Sequence, residues 1–319
     1  MSIRAVVVDP NVPGRLKIDR VAPPVALPNE AIVRVAAISL NRGEVRRAES
    51  AAAGWRPGWD LAGTIETAAR DGSGFVAGTR VVGFLAGGAW AEQVAVPTNA
   101  LAALPDAVSF AAAATLPVAG LTALLALERG GSLLDSPMER LRQRSVLITG
   151  ASGGVGYFAC QLAAQAGAIV TAQVRRAELV DFVKTAHAHQ VIVGNGFDRY
   201  APYDLALDSV GGDVLPAVLA QLAPDGNCVI FGTTAGANIT FNAAQFYGKG
   251  GLNLYGFILF HELKKQPAAT GLARLVKLVA DGVLVPHIDV EATWIEIAQI
   301  AQQLTDRQFL GKAVLHLQS

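Results

Sequence analysis

The chain has 319 residues, 52% of them hydrophobic and 16% charged, which suffices for two domains with large cores and excludes global disorder. Lys plus Arg and Asp plus Glu each number 26, so neither net charge nor any basic cluster supports binding to nucleic acid or an anionic membrane. Two cysteines, Cys160 and Cys228, argue against a disulfide framework and exclude a cysteine-rich metal site, and without a signal-peptide pattern the expected location is cytoplasmic.

The first hundred residues lean toward strands, at Ala5–Asp9, Ala31–Ile38, Leu61–Thr67, Arg80–Phe84 and Trp90–Val96. Turn signals such as Pro23-Pro24, Asp71-Gly72 and Gly87-Gly88 punctuate them. Residues 107–127 are uncharged and long enough to span a bilayer. Pro117, Gly120 and the many alanines instead predict buried helix segments around a break. Beyond a polar connector at 129–144, short apolar runs alternate with amphipathic stretches. The runs are Val146–Thr149, Ala168–Ala172, Val191–Val193, Leu205–Asp208, Cys228–Phe231 and Leu252–Tyr255. Val155, Phe158, Ala159, Leu162, Ala163 and Ala166 keep helical spacing between the first two, as do Leu179, Phe182, Val183 and Ala186 between the next pair. Nearly continuous apolar strands alternating with helices predict an α/β fold, a doubly wound parallel sheet covered on both faces. The last sixty residues return to mixed character, with two amphipathic helices and a final strand, "GKAVLHL".

The first apolar run leads directly into Gly150-x-x-Gly153-x-x-Gly156 and then into a helix. Unpaired amides at a helix N-terminus suit a pyrophosphate, and small residues let it approach. Ser152, Gly153, Gly154 and Val155 are therefore candidate cofactor contacts, with a ligand-free tight turn as the alternative. The second strand of such a unit usually ends in an acid that binds the ribose of NAD. Here Arg175 and Arg176 follow instead, and guanidinium groups suit a 2′-phosphate. The expected cofactor is NADP(H); the alternative is that one or both arginines are solvated or balance Glu178 and Asp181.

"SVLITGASGGVGYFACQLAAQAGA" resembles the cofactor turn of the medium-chain dehydrogenase/reductase superfamily, in its zinc-independent quinone oxidoreductase-like branch. "SLNRGEVRR", "RPGWDLAGTIE", "GTRVVGFLAGGAWAEQVAVP", "AAAATLPVAGLTALLAL", "YDLALDSVGG", "LAPDGNCVIFG" and "GKAVLHL" extend the resemblance over nearly the whole chain. It implies a GroES-like β-rich catalytic domain from residues 1–120 with 260–319 returning to it, and a Rossmann domain at 121–259. The active site would lie in the cleft between them. In related alcohol dehydrogenases, the positions of Asn41, Trp59 and approximately Val118 carry zinc ligands. Asn, Trp and Val supply none, and the five histidines do not repair the set, so no metal is expected.

Without a Lewis acid the acceptor must already be electrophilic, a quinone or an α,β-unsaturated carbonyl. Its developing oxyanion needs a donor: Asn41, Arg42, Tyr247 or an ordered water. The resemblance also places Asn41 and Thr122 near the nicotinamide. Ser209 would flank the adenine, Gly232 and Thr233 follow the fifth strand where such folds bind ligand, and Phe257 and Ile258 either meet the nicotinamide or pack between domains. Lys312 either reaches cofactor phosphates or faces solvent, and Arg42 could instead pair with Glu44 on the surface. Trp55 and Trp59 would either wall a substrate pocket or join the β core. Two other functions fit the same residues: an enoyl-thioester reductase of fatty-acid or polyketide type, with Arg42, Arg46 and Arg47 for a carrier phosphate, and a non-catalytic NADPH-binding protein. The apolar sixth strand predicts a homodimer through the Rossmann sheet edge.

Overall fold

In the computed structural model, residues 2–131 and 141–317 are described; Arg140 of the connector lies outside the described residues. The chain divides into two units, one formed by Met1–Leu121 with Leu263–Ser319 and the other by Thr122–Glu262.

The first unit begins with β1 (Ile3–Val8) paired antiparallel to β2 (Leu16–Val21). β2 escapes the sequence pattern because Lys17, Asp19 and Arg20 interrupt its apolar positions and only Leu16 is buried. Next come β3 (Glu30–Ser39), α1 (Arg42–Ser50), β4 (Asp60–Thr67), β5 (Arg80–Phe84), β6 (Gln93–Pro97) and β7 (Leu101–Ala103). β3 alternates by the two-residue period of a strand, burying Ala31, Val33 and Val35 against Leu61, Ile65 and Trp90, until a register shift between Val35 and Ala37 turns Ile38 to the same core. The strand expected from Trp90 starts only at Gln93, because Trp90–Glu92 bond to β1 before the chain transfers to β3. In the alanine-rich stretch, Ser109 caps α2 (Phe110–Ala114), and Pro117 sits in a π-type turn over Leu116–Gly120 before α3 (Leu121–Gly131). Among the described residues no helix is long and apolar enough to cross a membrane.

The second unit runs through β8 (Ser145–Ile148), α4 (Gly154–Gln165), β9 (Ile169–Val174), α5 (Val180–Thr185), β10 (Gln190–Val193), β11 (Tyr203–Asp208), α6 (Val214–Leu219), β12 (Leu222–Ile230), α7 (Ala243–Tyr247), β13 (Asn253–Gly256) and α8 (Leu259–Glu262). Its six strands are all parallel, in the order β10-β9-β8-β11-β12-β13. This is the doubly wound arrangement that the alternating pattern predicts. Val146, Leu147, Ile148, Ala206 and Leu207 are fully buried, as a sheet covered on both faces requires. The strand order reverses between β8 and β11, where open α/β sheets leave a crevice at the carboxyl ends.

The chain then returns to the first unit as α9 (Ala268–Ala280), β14 (Ile288–Thr293), α10 (Ile297–Thr305) and β15 (Lys312–His316). β15 lies between β14 and β3, parallel to one and antiparallel to the other.

Candidate functional site

Two constellations stand out, one in each unit. In the second unit the turn after β8 is fixed from both sides. Gln173, on the neighbouring β9, accepts the Gly150 N–H on Oε1 at 3.1 Å and the Ala151 N–H on its main-chain carbonyl at 3.1 Å. Thr149 Oγ1 donates to Asp208 Oδ1 at 2.6 Å and accepts the Ser209 N–H at 3.1 Å. Asp208 Oδ2 takes the Gly211 N–H at 2.8 Å. Burial raises the Asp208 carboxyl above its usual range, against the opposing pull of these hydrogen bonds.

The three glycines serve different purposes. Gly150 has φ +59°, and a Cβ there would lie 2.6 Å from Ser209 Oγ. At Gly156 a Cβ would meet the main chain, 2.6 Å from Gly150 O and 2.7 Å from Ala151 Cα. Gly153 is exposed, and a Cβ would touch only Gly150 O at 3.4 Å. The chain itself therefore has room for a side chain at 153; what such a side chain would fill is the open cradle. Gly153 caps α4 with no side-chain hydrogen bond, leaving the first-turn amides at Gly154 and Val155 without an acceptor one turn earlier. This arrangement fits a diphosphate.

The carboxyl ends of the parallel strands gather most of the expected cofactor residues. Ser152–Val155 follow β8, Arg175 and Arg176 lie exposed after β9, and Ser209 follows β11. Gly232 and Thr233 follow β12, and Thr234 ties their loop to Ser209 through N–H and Oγ1 bonds to its carbonyl at 3.2 and 3.1 Å. Phe257 is buried and Ile258 exposed beyond β13; Thr122 is buried in the first turn of α3. Tyr247 is not brought to this edge. It ends the short α7, 74% exposed, and Lys249 just beyond it donates to Ala220 O and Leu222 O at the amino end of β12. A role for Tyr247 at the crevice therefore finds no geometric support.

In the first unit, Asn41 leads from β3 into α1. Its main-chain N–H and its Nδ2 donate to Glu44 Oε1 at 2.7 and 2.9 Å, and Nδ2 also donates to Asp60 Oδ2 at 2.8 Å. Its Oδ1 accepts from Lys312 Nζ at 2.6 Å. Asp60, fully buried, also receives Ser39 Oγ at 2.6 Å on Oδ2, the Val118 N–H of the π-type turn at 2.9 Å on Oδ1, and Lys312 Nζ at 3.4 Å. Lys312 completes its donors on Leu40 O at 2.9 Å. It is buried, not solvent-facing, and Glu44, also buried, is no surface partner for Arg42, which opens α1 half-buried. Among the described residues Glu44 Oε2 is buried with no hydrogen-bond partner.

Asn41 and Val118, positions that the resemblance compares with zinc ligands, thus converge on Asp60. What they direct there are N–H groups, joined by an ammonium. A divalent cation needs lone pairs, so this donor set does not fit one. Among the described residues no group of three or more His, Cys, Asp or Glu is placed to hold a metal. Trp59 is buried, and Trp55 packs half-buried against the core with the Arg47 guanidinium 5.1 Å from its ring centroid. Sequence reasoning passed over Asp60, Thr149 and Gln173, and took Glu44 only as a surface partner of Arg42. Only Glu44 left a local signal, the Asn-x-x-Glu spacing of a capping box.

Comparison with known proteins fits both units. A family model for the alcohol dehydrogenase GroES-like domain matches residues 27–106, and one described as zinc-binding dehydrogenase matches residues 154–276. A chloroplast envelope quinone oxidoreductase homolog of Arabidopsis thaliana is 36% identical over 65% of this chain and 64% of its own length, so the chain spans less than two thirds of that relative. The chloroplastic quinone-oxidoreductase QR1 of Triphysaria versicolor is 33% identical over 70% of this chain and 69% of its own. Acrylyl-CoA reductase AcuI of Ruegeria pomeroyi is 28% identical over 70% and 69%. Among solved structures, a quinone oxidoreductase from Coxiella burnetii superimposes with a TM-score of 0.84 at 25% identity, covering 100% of both chains.

Proposed function

Because the chain belongs to the medium-chain dehydrogenase/reductase superfamily, in its quinone oxidoreductase-like branch, we propose that it is an NADPH-dependent reductase of quinones or α,β-unsaturated carbonyls that works without a metal. The observation that carries this reading is the cradle at Gly153, where uncapped amides open α4 at the reversal of strand order. NADPH, when bound, supplies the hydride. Gly153, Gly154, Val155 and Ser152 hold its diphosphate, and Arg175 with Arg176 takes the 2′-phosphate. Ser209, Gly232 and Thr233 line the crevice, while Phe257, Ile258, Thr122 and Asn41 are assigned to the nicotinamide side.

Both Asn41 amide hydrogens are committed to carboxyl oxygens, of Glu44 and Asp60, so Asn41 acts by holding its loop in place. Arg42 or a water is left as the oxyanion donor. The metal-free reading is supported by the N–H groups and ammonium that meet at Asp60. The molecule is further assigned to the cytoplasm and to a homodimer formed through β13, the sheet-edge strand, where Leu254 is exposed; a monomer in solution scattering refutes the dimer.

Titration with NADPH and NADH, followed by parallel assays with a small quinone, an enone and a crotonyl thioester, tests the function. Preferential turnover of the thioester favours the enoyl-thioester reading, which the AcuI relative supports. Binding of NADPH without turnover of any acceptor favours a non-catalytic protein. Arg175→Ala and Arg176→Ala are each expected to weaken NADPH by up to roughly 10- to 100-fold, the worth of a charge-assisted contact, and to leave NADH unaffected. Equal losses for both cofactors overturn the 2′-phosphate assignment.

A further inference from the structure

The segment Trp55–Trp59 is held rigidly. Each of its five carbonyls accepts a main-chain N–H: Trp55 O from Val8 at 2.9 Å, Arg56 O from Gly88 at 3.0 Å, Pro57 O from Trp90 at 3.5 Å, Gly58 O from Ala89 at 3.1 Å and Trp59 O from Leu85 at 2.9 Å. From this fixed backbone projects Arg56, half-buried, its Nε fully shielded from solvent and, among the described residues, without a hydrogen-bond partner. Its guanidinium meets no carboxylate, carbonyl or ring among the described residues. Arg15 and Arg80, also half-buried, behave otherwise: Arg15 donates to Ala48 O and Ala51 O, and Arg80 to Pro105 O and Val108 O. A cation withdrawn from water is costly unless paired, and burial alone, with no acid to oppose it, lowers the pKa of this guanidinium. Arg56 is four residues from Asp60, at most about 14 Å of extended chain, and Asp60 Oδ2 bonds Asn41 Nδ2 at 2.8 Å. The Arg56 main chain therefore lies within about 14 Å of Asp60 and the Asn41 cluster.

We infer that Arg56 recognises an anionic group, a carboxylate or a phosphate, carried by the electron acceptor, its planar donors matching two of the anion's oxygens. The inference builds on the reductase reading above and narrows its substrate class from any electrophilic carbonyl to an acidic one. Two sources supply such an anion, a carboxylate on the acceptor itself or a phosphate on a carrier thioester.

The test compares matched pairs on the full chain with NADPH: 4-oxopent-2-enoate against its methyl ester, and the crotonyl thioester of coenzyme A against that of N-acetylcysteamine. In Arg56→Met the kcat/KM ratio of charged to uncharged partner is expected to fall roughly 10- to 100-fold in one of the two pairs, which identifies the source, and Arg56→Lys is expected to recover part of it. The thermal midpoint of Arg56→Met should be no lower than that of the parent. Unchanged ratios in both pairs overturn the inference. So does a loss of NADPH affinity in Arg56→Met with ratios intact, since the anion is then the cofactor's. Calorimetric titration of levulinate and of inorganic phosphate into the NADPH-loaded protein reads the same site without turnover. Where no acceptor is reduced, binding of either that Arg56→Met weakens upholds the anion site, and no binding of either to the parent overturns it.

Discussion

Glu44 is fully buried, and that burial, reinforced by the negative charge of Asp60, pushes its carboxyl well above the usual carboxylate range; hydrogen bonds from Asn41 and the charge of Lys312 oppose the shift without cancelling it. A carboxyl that keeps its proton in the folded chain and loses it in the unfolded chain makes the native state the better proton binder. Stability attributable to Glu44 is therefore full below its unfolded pKa and declines as pH rises toward the folded value. Glu44→Gln cannot titrate. The urea midpoint of the parent, relative to this variant, is expected to fall as pH rises above the ordinary carboxylate range, and parallel curves would show that Glu44 is ionised. At this scale the sequence was only partly legible. Asn41 stood out by resemblance and Glu44 sat at a recognisable spacing, but Asp60 and Lys312 are 252 positions apart. No local pattern encodes a contact over that distance, and a lysine near the end of a chain gives no sign that it will be buried.

The turn between β8 and α4 was the most legible element, because a stiff apolar strand, a glycine cluster and an amphipathic helix must occur together for a phosphate cradle. What the spacing alone does not reveal is the division of labour among the glycines. Gly153→Val is expected to leave the thermal midpoint close to the parent's and to abolish NADPH binding, since only ligand space lies over that position. Gly156→Ala places a methyl against main-chain atoms that cannot swing aside. Its cost is about 1–3 kcal/mol of stability, the usual penalty for overpacking, read as a lowered thermal midpoint. The reverse pattern, with Gly153→Val unstable and Gly156→Ala neutral, contradicts these roles. β2 and β14 were illegible for the opposite reason. Lys17, Asp19 and Arg20 in one, Asp289 and Glu291 in the other, give sequences no more apolar than the surrounding loops, and only pairing with neighbouring strands makes them regular.

Across the molecule, both cysteines fall in the second unit and are fully buried. Burial pushes the Cys160 thiol up to about 12 and the Cys228 thiol well above its ordinary value, the latter helped by Asp208. A thiol without thiolate character is a poor nucleophile, so the native protein is expected to resist a disulfide reagent such as DTNB. Labelling should appear only with denaturant and should follow opening of residues 122–262; rapid labelling of the native protein contradicts the burial. The division into two units was legible in outline, as the composition changes near the connector and again in the last sixty residues.

The return of the chain to its first unit has a consequence for how the protein is made. On a ribosome, the portion containing Asp60 emerges long before Lys312, and at roughly 5–20 residues per second the 252 positions between them take about 13 to 50 seconds to translate. Throughout that wait Asp60 has no ammonium beside it, and the Ala37–Ser39 end of β3, which β15 later pairs, offers an unpaired edge to any other nascent strand. The intervening segment is contiguous and can fold first, so the first unit closes only when its last strand arrives, and a cell that slows translation late in the message prolongs the period in which this edge can aggregate.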